Sequence, residues 1–304
     1  MTKVLITGGA GFIGGYLAKQ LKSEGYEVIL CDLPEKYSKD LLQEYKCIEC
    51  DITSKRDVSS LPPVDIVYHL AGHVGTASSL KNMNRDLECN ALGTLNVAQY
   101  VIDNNIKKFC FSSSMAVYGH AEKVIESTSP SPVSPYGISK LCAENYVNYV
   151  SLKNPSTQCV IYRIFNCYGP GQNTKNLTQG LASIFIEQVK RGNLVEVTGR
   201  LDRERDLIYI EDVISALMMI TTNDDMAGVY NLCSGQNTSI SSLIDIISKT
   251  SNLDRKNIEK KNIGGTIEDS LIVTGNTNKL TSQGWKPKTN LVDGIKKCWE
   301  IHHE

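Results

Sequence analysis

Two short stretches of the chain carry residue types that could do chemistry together. Tyr136 and Lys140, in Tyr-Gly-Ile-Ser-Lys, stand four apart, so on a helix they share one face. A lysine ammonium beside a phenol favours the phenolate and lowers its pKa. A phenol near its ordinary value of about 10 is a poor base at neutral pH, so such a shift is what general-base work needs. On its own the same spacing also describes an exposed helix face. Ser112-Ser113-Ser114 closes an apolar run that begins at Lys108, where a hydroxyl could meet the same substrate oxygen. The second stretch is Thr7-Gly8-Gly9-Ala10-Gly11-Phe12-Ile13-Gly14, with glycines spaced G-x-x-G-x-x-G. It follows a β-branched run and opens a helical pattern, and an acid, Asp32, ends the next apolar run. That context is the dinucleotide fingerprint. Glycine lets the backbone approach a pyrophosphate, and the helix N-terminus offers N–H groups and a favourable dipole. Asp32 suits the ribose diol, and its charge would repel a 2′-phosphate. No arginine follows in Asp32-Leu33-Pro34, which favours NAD over NADP. Asp51-Ile52 could frame the adenine, although Asp51 also reads as a cap before Thr53.

These groups need elements to hold them. Residues 3–7 read as a buried strand, and 12–23 as a helix with Ile13, Leu17 and Leu21 on one face. Further strands are expected at 27–31, 46–50, 65–70, 108–112 and 158–165, with helices over 85–104 and 136–150. The strands are near-continuous apolar runs, as in a parallel sheet covered by helices on both faces. Beyond Phe165 the texture changes. Residues 166–175 read as a loop, 183–191 as a helix, 194–198 as a strand and 200–206 as a charged turn. Strands at 206–210 and 229–232 flank a helix at 213–221, and helices are expected at 239–250 and 291–301. The expected fold is α/β: a doubly wound parallel sheet (Rossmann) with a smaller interleaved α/β substrate-binding cap. The first part spans 1–165 with a segment returning at 207–233, and the cap is formed by 166–206 and 234–304.

Composition narrows the function classes. The 304 residues are 41% hydrophobic and 21% charged with a net charge of -1, an ordinary globular balance without the basic footprint of a nucleic-acid binder. Nowhere is there an apolar run of about 18 residues, so no membrane span is expected. The first residues lack a basic n-region, a long apolar stretch and a cleavage site, which reads as a cytoplasmic chain. Ten scattered cysteines lie mostly in apolar stretches and read as buried thiols. Cys47-x-x-Cys50 lacks the partners of a zinc or redox site, and the five histidines show no metal-ligand spacing.

In order along the chain, these motifs resemble the extended short-chain dehydrogenase/reductases, specifically the NAD-dependent nucleotide-sugar epimerase/dehydratase family. The resemblance rests on the glycine loop, His69-Leu70-Ala71-Gly72, Asn90 in Asn-Ala-Leu-Gly-Thr, and the run from Ser112 through Gly119. It continues with Ser134–Lys140, Arg163-Ile164-Phe165-Asn166-Cys167-Tyr168-Gly169-Pro170, the run from Arg205 to Val213, Tyr230-Asn231-Leu232 and Gly284-Trp285-Lys286-Pro287. The resemblance implies Tyr136 as general base and acid, Lys140 as its tuner and ribose ligand, and Ser114 as the catalytic hydroxyl. It implies that NAD is held by Gly8, Gly11, Phe12, Ile13, Gly14, Asp32, Asp51, Ile52, Leu70, Ala71, Gly72, Asn90 and Ser112, with Tyr136, Lys140 and Phe165 about the nicotinamide. Asn166 and Arg205 match positions on the substrate diphosphate, where a guanidinium gives charge-assisted bonds. Arg205 also reads as a surface partner of Asp202, Glu204 or Asp206.

The same resemblance sorts the reactions. The family's 4,6-dehydratases, and a related decarboxylase, carry acidic residues after the catalytic hydroxyl, where this chain has Met115 and Ala116. Neither can move a proton. What remains needs Ser, Tyr, Lys and NAD: a nucleotide-sugar epimerase, acting at C4 of an NDP-hexose through a 4-keto intermediate. The alternatives are a 4-dehydrogenase or 4-keto reductase on the same site, and a catalytically silent NAD-binding regulator. Thr266-Ile267-Glu268-Asp269 replaces the Arg-Pro-Gly-Asp of many epimerases, so the second diphosphate contact is either missing or comes from elsewhere, such as Arg200 or Arg203. Leu181-Ala182 and His73-Val74-Gly75-Thr76 also depart from the galactose-type sequences. Family members commonly pair through the helices expected at 85–104 and 136–150, which implies a homodimer.

Overall fold

Apolar runs too long to bury one face only are what build the central sheet. The computed structural model describes residues 1–172, 180–251, 258–265 and 271–301. Its strands are β1 (Lys3–Thr7), β2 (Glu27–Asp32), β3 (Lys46–Glu49), β4 (Ile66–His69), β5 (Lys108–Ser114), β6 (Lys123–Val124) and β7 (Gln158–Ile164). There follow β8 (Asn166–Tyr168), β9 (Leu194–Val197), β10 (Glu204–Tyr209), β11 (Gly228–Leu232), β12 (Asn237–Ser239), β13 (Glu259–Asn262) and β14 (Ile272–Gly275). The helices are α1 (Phe12–Ser23), α2 (Lys39–Glu44), α3 (Lys55–Ser59), α4 (Thr76–Lys81), α5 (Met83–Leu87) and α6 (Gly93–Asp103), then α7 (Pro135–Lys153). The last five are α8 (Leu181–Arg191), α9 (Ile210–Thr222), α10 (Ile240–Thr250), α11 (Asn278–Ser282) and α12 (Leu291–Ile301).

The chain divides into two compact units, 1–117 with 134–163 and 214–230, and 118–133 with 164–213 and 231–304. In the first, the sheet order is β3-β2-β1-β4-β5-β7-β11. β1 pairs in parallel with β2, Lys3 to Thr7 against Glu27 to Cys31, and with β4, Val4 to Thr7 against Ile66 to His69. Strand order therefore reverses between β1 and β4, the switch point beside which open α/β sheets bind ligands. Val4, Leu5, Ile6, Val67, Phe109 and Phe111 are fully buried, each contributing about 1.5–3 kcal/mol of apolar burial. In the second unit β10 is central. It pairs with β12 antiparallel and with β14 and β8 in parallel, and β6 adds to β14. Asp212, at the start of α9, accepts the amides of Lys288 and Thr289 at 2.9 and 3.0 Å and so ties down the chain before α12.

Three expectations are corrected. The helix expected at 85–104 is broken by a π-helical turn, Glu88–Leu92, between α5 and α6. Asn90 bonds outward there to His73 and Ser139, and its carbonyl takes the Thr94 hydroxyl at 2.6 Å, so an extra residue is accommodated in the turn. The loop expected at 166–175 opens with β8, which finds a ladder on β10 that no local pattern announces; 173–175 lie outside the described residues. The charged turn expected at 200–206 ends at Glu204, where β10 begins, so Arg205 sits in a strand. The division between units also differs from the expected domain limits. Residues 118–133 group with the second unit because β6 pairs with β14, and 207–213 stay there with β10.

Candidate active site

The turn after β1 has room for backbone alone. Gly8 has φ +72° and its amide donates to Cys31 O at 2.8 Å. A Cβ on Gly8 would lie 2.6 Å from Ala71 N, so the loop packs backbone to backbone on the segment after β4. Gly14 is equally hemmed in, with Gly9 Cα and Gly8 C at 2.9 and 3.0 Å from where its Cβ would fall. Gly11 is the extended N-cap of α1, no side chain caps that end, and no acid stands in its first turn. The positive end of the helix is thus left to an external anion. Phe12 packs edge-on against Tyr16 and Ile13 is half-buried. Asp32 accepts the Ala10 and Leu33 amides at 3.1 and 2.9 Å, which hold its carboxylate beside the loop. Burial pushes its pKa up, while the two amides pull it down. The glycine cradle, the uncapped helix end and the acid at the end of β2 together fit a dinucleotide.

Of the adenine residues, Asp51 spends Oδ1 on the Thr53 amide and hydroxyl, at 2.9 and 2.8 Å, within a local turn. It is not the helix cap, since Ser54 caps α3 by accepting the Asp57 amide. Ile52 is 7% exposed and lies in the core cluster, its side chain against Gly93, so any role at the cofactor falls to its backbone.

α7 is started by Ser134, whose Oγ accepts the Gly137 amide at 3.1 Å, with Pro135 in the first helical position. This puts Tyr136 in the first turn and Lys140 one turn on. The Tyr136 hydroxyl is hydrogen-bonded to Ser114. Lys140 is 3% exposed and donates to Ser112 O at 2.8 Å. Its ammonium stands 4.8 Å from the Phe111 ring centroid, and Phe111 stacks on His69. Gly72 lies over this group, since a Cβ there would come within 2.5 Å of Asn90 Oδ1 and 3.5 Å of Lys140 Nζ. The structure therefore brings Gly72, Asn90, Ser112, Ser114, Tyr136 and Lys140 together.

One expectation about this cluster is corrected. The pKa of the Tyr136 phenol is not lowered in the protein by itself. Burial pushes it up to about 12 and the charge of Asp86 pushes the same way, against the Ser114 hydrogen bond. Lys140 is itself pulled down to about 8 by burial, with Asp86 and Glu144 opposing. Its ammonium is committed to a main-chain carbonyl, and desolvation outweighs the help it was expected to give.

The buried polar residues around the cluster were not legible in the sequence. Glu144 takes Arg163 Nε and Nη2 at 2.9 and 2.7 Å and the Ser113 hydroxyl at 2.5 Å, tying α7 to β7 and β5. His69 is fully buried between Thr7 Oγ1 and Thr94 Oγ1, and burial pulls its pKa down to about 3. Asp86 joins His73, Asn90 and Ser139. An acid facing inward from the apolar side of a helix was the one available signal. The partners come from distant segments.

In the second unit, Phe165 is 4% exposed, its amide donates to Leu232 O, and its ring tip packs on Gly275. Asn166 donates to Asp206 O at 2.9 Å. Arg205 is 7% exposed and donates to Glu204 O at 2.8 Å; burial and the nearby Arg203 charge pull it down to about 10. It is therefore buried and not at the surface. Asp202 holds the exposed Arg200 instead, and Asp206 takes the Ser234 and Gly235 amides. Arg203 is buried beside Arg205, whereas 266–269 lie outside the described residues.

The family model of the NAD dependent epimerase/dehydratase family matches residues 4–233. The chain belongs to this family. A Methanocaldococcus jannaschii protein provisionally named a UDP-glucose 4-epimerase is 31% identical over 97% of the chain and 96% of its own length. The Thermus thermophilus UDP-glucose 4-epimerase in complex with NAD superposes with a TM-score of 0.89, at 26% identity over 99% of each chain. A GDP-6-deoxy-D-mannose reductase of Pseudomonas aeruginosa is 28% identical over 98% of this chain and 97% of its own. The NAD of the family name suits the glycine turn and Asp32 described above. Among the described residues no helix is long and apolar enough to cross a membrane.

Proposed function

We propose that the protein is an NAD-dependent nucleotide-sugar epimerase that inverts C4 of an NDP-hexose through a transient 4-keto sugar. The reading is carried by one arrangement: Tyr136 bonded to Ser114 with Lys140 a turn away, followed along the chain by Met115 and Ala116, which cannot carry protons. Tyr136 takes the proton of the C4 hydroxyl and later returns it. Ser114 holds the same oxygen, and Lys140 binds the cofactor ribose and adds positive charge. Bound NAD supplies a hydride acceptor that also gives the hydride back, and a positive ring whose charge lowers a nearby phenol. Gly8, Gly11, Phe12, Ile13 and Gly14 receive the pyrophosphate, Asp32 the adenosine ribose, Asp51 and the Ile52 backbone the adenine. Leu70, Ala71, Gly72, Asn90, Ser112 and Phe165 complete the cofactor residues. Asn166 and Arg205 hold the substrate diphosphate firmly, which leaves the hexose, held more loosely, free to turn.

We also assign the protein to the cytoplasm as a homodimer. Ten cysteines, all free thiols, suit a reducing compartment. Leu80, Met83, Leu87 and Leu92, and Ile138, Tyr149 and Leu152 on α7, are exposed apolar residues on helices that pack together. Exposed apolar side chains on neighbouring helices suit a second copy. Sedimentation at micromolar concentration checks it, a monomer being the refuting result.

The deciding experiment is incubation with a panel of UDP-, dTDP- and GDP-hexoses, products resolved by NMR. An epimerase gives turnover without net NADH. Stoichiometric NADH release would instead support the dehydrogenase reading, to which the reductase relative lends weight. Tyr136→Phe is expected to lower kcat by about 10²–10⁴-fold while NAD stays bound. Unchanged turnover in Tyr136→Phe refutes the mechanism.

A further inference from the structure

We propose that Asp86 is a positioning residue of the Tyr136–Lys140 base, binding the three segments around it and supplying the counter-charge of the buried Lys140 ammonium. This rests on reading that pair as the base. Asp86 is 1% exposed at the end of α5. Its Oδ1 takes His73 Nδ1 at 3.1 Å, from the loop after β4, and Asn90 Nδ2 at 3.2 Å, from the π-helical turn. Its Oδ2 takes the Ser139 hydroxyl at 2.6 Å, one residue before Lys140 on α7. The assembly is cross-braced: His73 N donates to Asn90 Oδ1 at 2.9 Å, and Asn90 Nδ2 reaches Ser139 Oγ at 3.0 Å. Ser78 Oγ lies 2.8 Å from His73 Nε2 and closes the network on that side.

The electrostatics of Lys140 single out this carboxylate. Its hydrogen-bond acceptor is the neutral Ser112 carbonyl. The ionisable groups around it are Tyr136 and Glu144 on α7, Asp86 from α5, His69 from β4 and, behind Glu144, Arg163 from β7. His69 is neutral, and Glu144 is matched by the two-bond contact with Arg163. Asp86 is left as the anion that offsets the cost of burying Lys140, and it acts on Tyr136 as well. A buried lysine without such a partner gives up its proton. An uncharged Lys140 could neither draw down the phenol nor donate fully to a ribose.

The test is an NMR titration of the cofactor-free protein labelled at lysine 13Cε, with Lys140 assigned from Lys140→Arg. Wild-type Lys140 is expected to titrate near pH 8. In Asp86→Asn, which keeps the size and most hydrogen bonds, the midpoint is expected to fall by about one pH unit or more, and Asp86→Glu to restore it. The alkaline limb of kcat/KM is expected to move down with it. Should Asp86→Asn not fold, the wild type gives the same answer from the other end: the Asp86 13Cγ resonance inflects at the Lys140 midpoint and loses that inflection in Lys140→Met. An unmoved Lys140 midpoint in Asp86→Asn, or an Asp86 resonance without the inflection, overturns the proposal. Because the titration needs no substrate, coupling seen in a protein that turns over no sugar would sink the epimerase reading and leave Asp86 its role.

Discussion

Gly14 and Gly15 stand side by side in α1 with opposite surroundings, which makes them a matched test of the cofactor turn. A methyl added at Gly14 would fall 2.9 Å from Gly9 Cα and 3.0 Å from Gly8 C, and nearest of all to the Gly8 carbonyl oxygen. All three are main-chain atoms of the turn, so none can swing aside. Either the helix start lifts or the turn opens. Overpacking of this kind costs about 1–3 kcal/mol, and the better helix propensity of alanine recovers about 0.5–1 kcal/mol. The expected net loss is up to about 2.5 kcal/mol, a fall in Tm of up to about 10 °C at about 2–4 °C per kcal/mol. The larger effect is on NAD. One charge-assisted amide bond displaced from the pyrophosphate is worth about 1.5–3 kcal/mol, hence a Kd weakened roughly tenfold or more. At Gly15 a methyl meets nothing within 4 Å. Gly15→Ala is therefore expected to gain about 0.5–1 kcal/mol and to bind NAD as the wild type does. Calorimetric titration of the cofactor-free proteins with NAD and differential scanning calorimetry read both quantities. Wild-type NAD affinity in Gly14→Ala, or equal losses in the two variants, would refute the reasoning.

Two further outcomes follow from the buried charges behind the site. Glu144→Gln leaves the buried Arg163 guanidinium without its carboxylate and is expected to cost about 3–5 kcal/mol. The double variant Glu144→Gln/Arg163→Met should lose less than the single ones would sum to, as read in a denaturant double-mutant cycle; strict additivity would mean that the pair does not interact. The second outcome concerns pH. Lys140 has its folded pKa lowered to about 8 from 10.5, so below pH 8 it is charged and its burial cost is fully present. From pH 8 to 10.5 the unfolded chain holds a proton that the folded chain has released, and this group makes stability rise with pH. Activity should fall over the same range, as the ammonium is lost. Urea unfolding and kcat/KM against pH measure the two, and a stability rise that persists unchanged in Lys140→Met would assign it to another group.

The local parts of this protein are legible in its residues. The turn from β1 to α1, the acid ending β2 and the Tyr136–Lys140 spacing are each specified within one or two elements, where backbone sterics and helical period leave few choices. The main strands of the first unit follow for the same reason, since runs apolar on both faces have to be covered. Pairings between segments distant in the chain were out of reach. β8 becomes a strand only by meeting β10, and Arg205 is a strand residue because β12 and β14 pair with it at Thr238 and Val273. The π-helical turn at Glu88–Leu92 exists because Asn90 is claimed by His73 and Ser139, far from it in sequence. Tertiary structure also decided a sign. Tyr136 and Lys140 sharing a helix face announced a lowered phenol, yet burial holds it near 12 and draws the lysine toward 8. The reason is that desolvation depends on everything packed around a group, whereas spacing records only its neighbours along the chain.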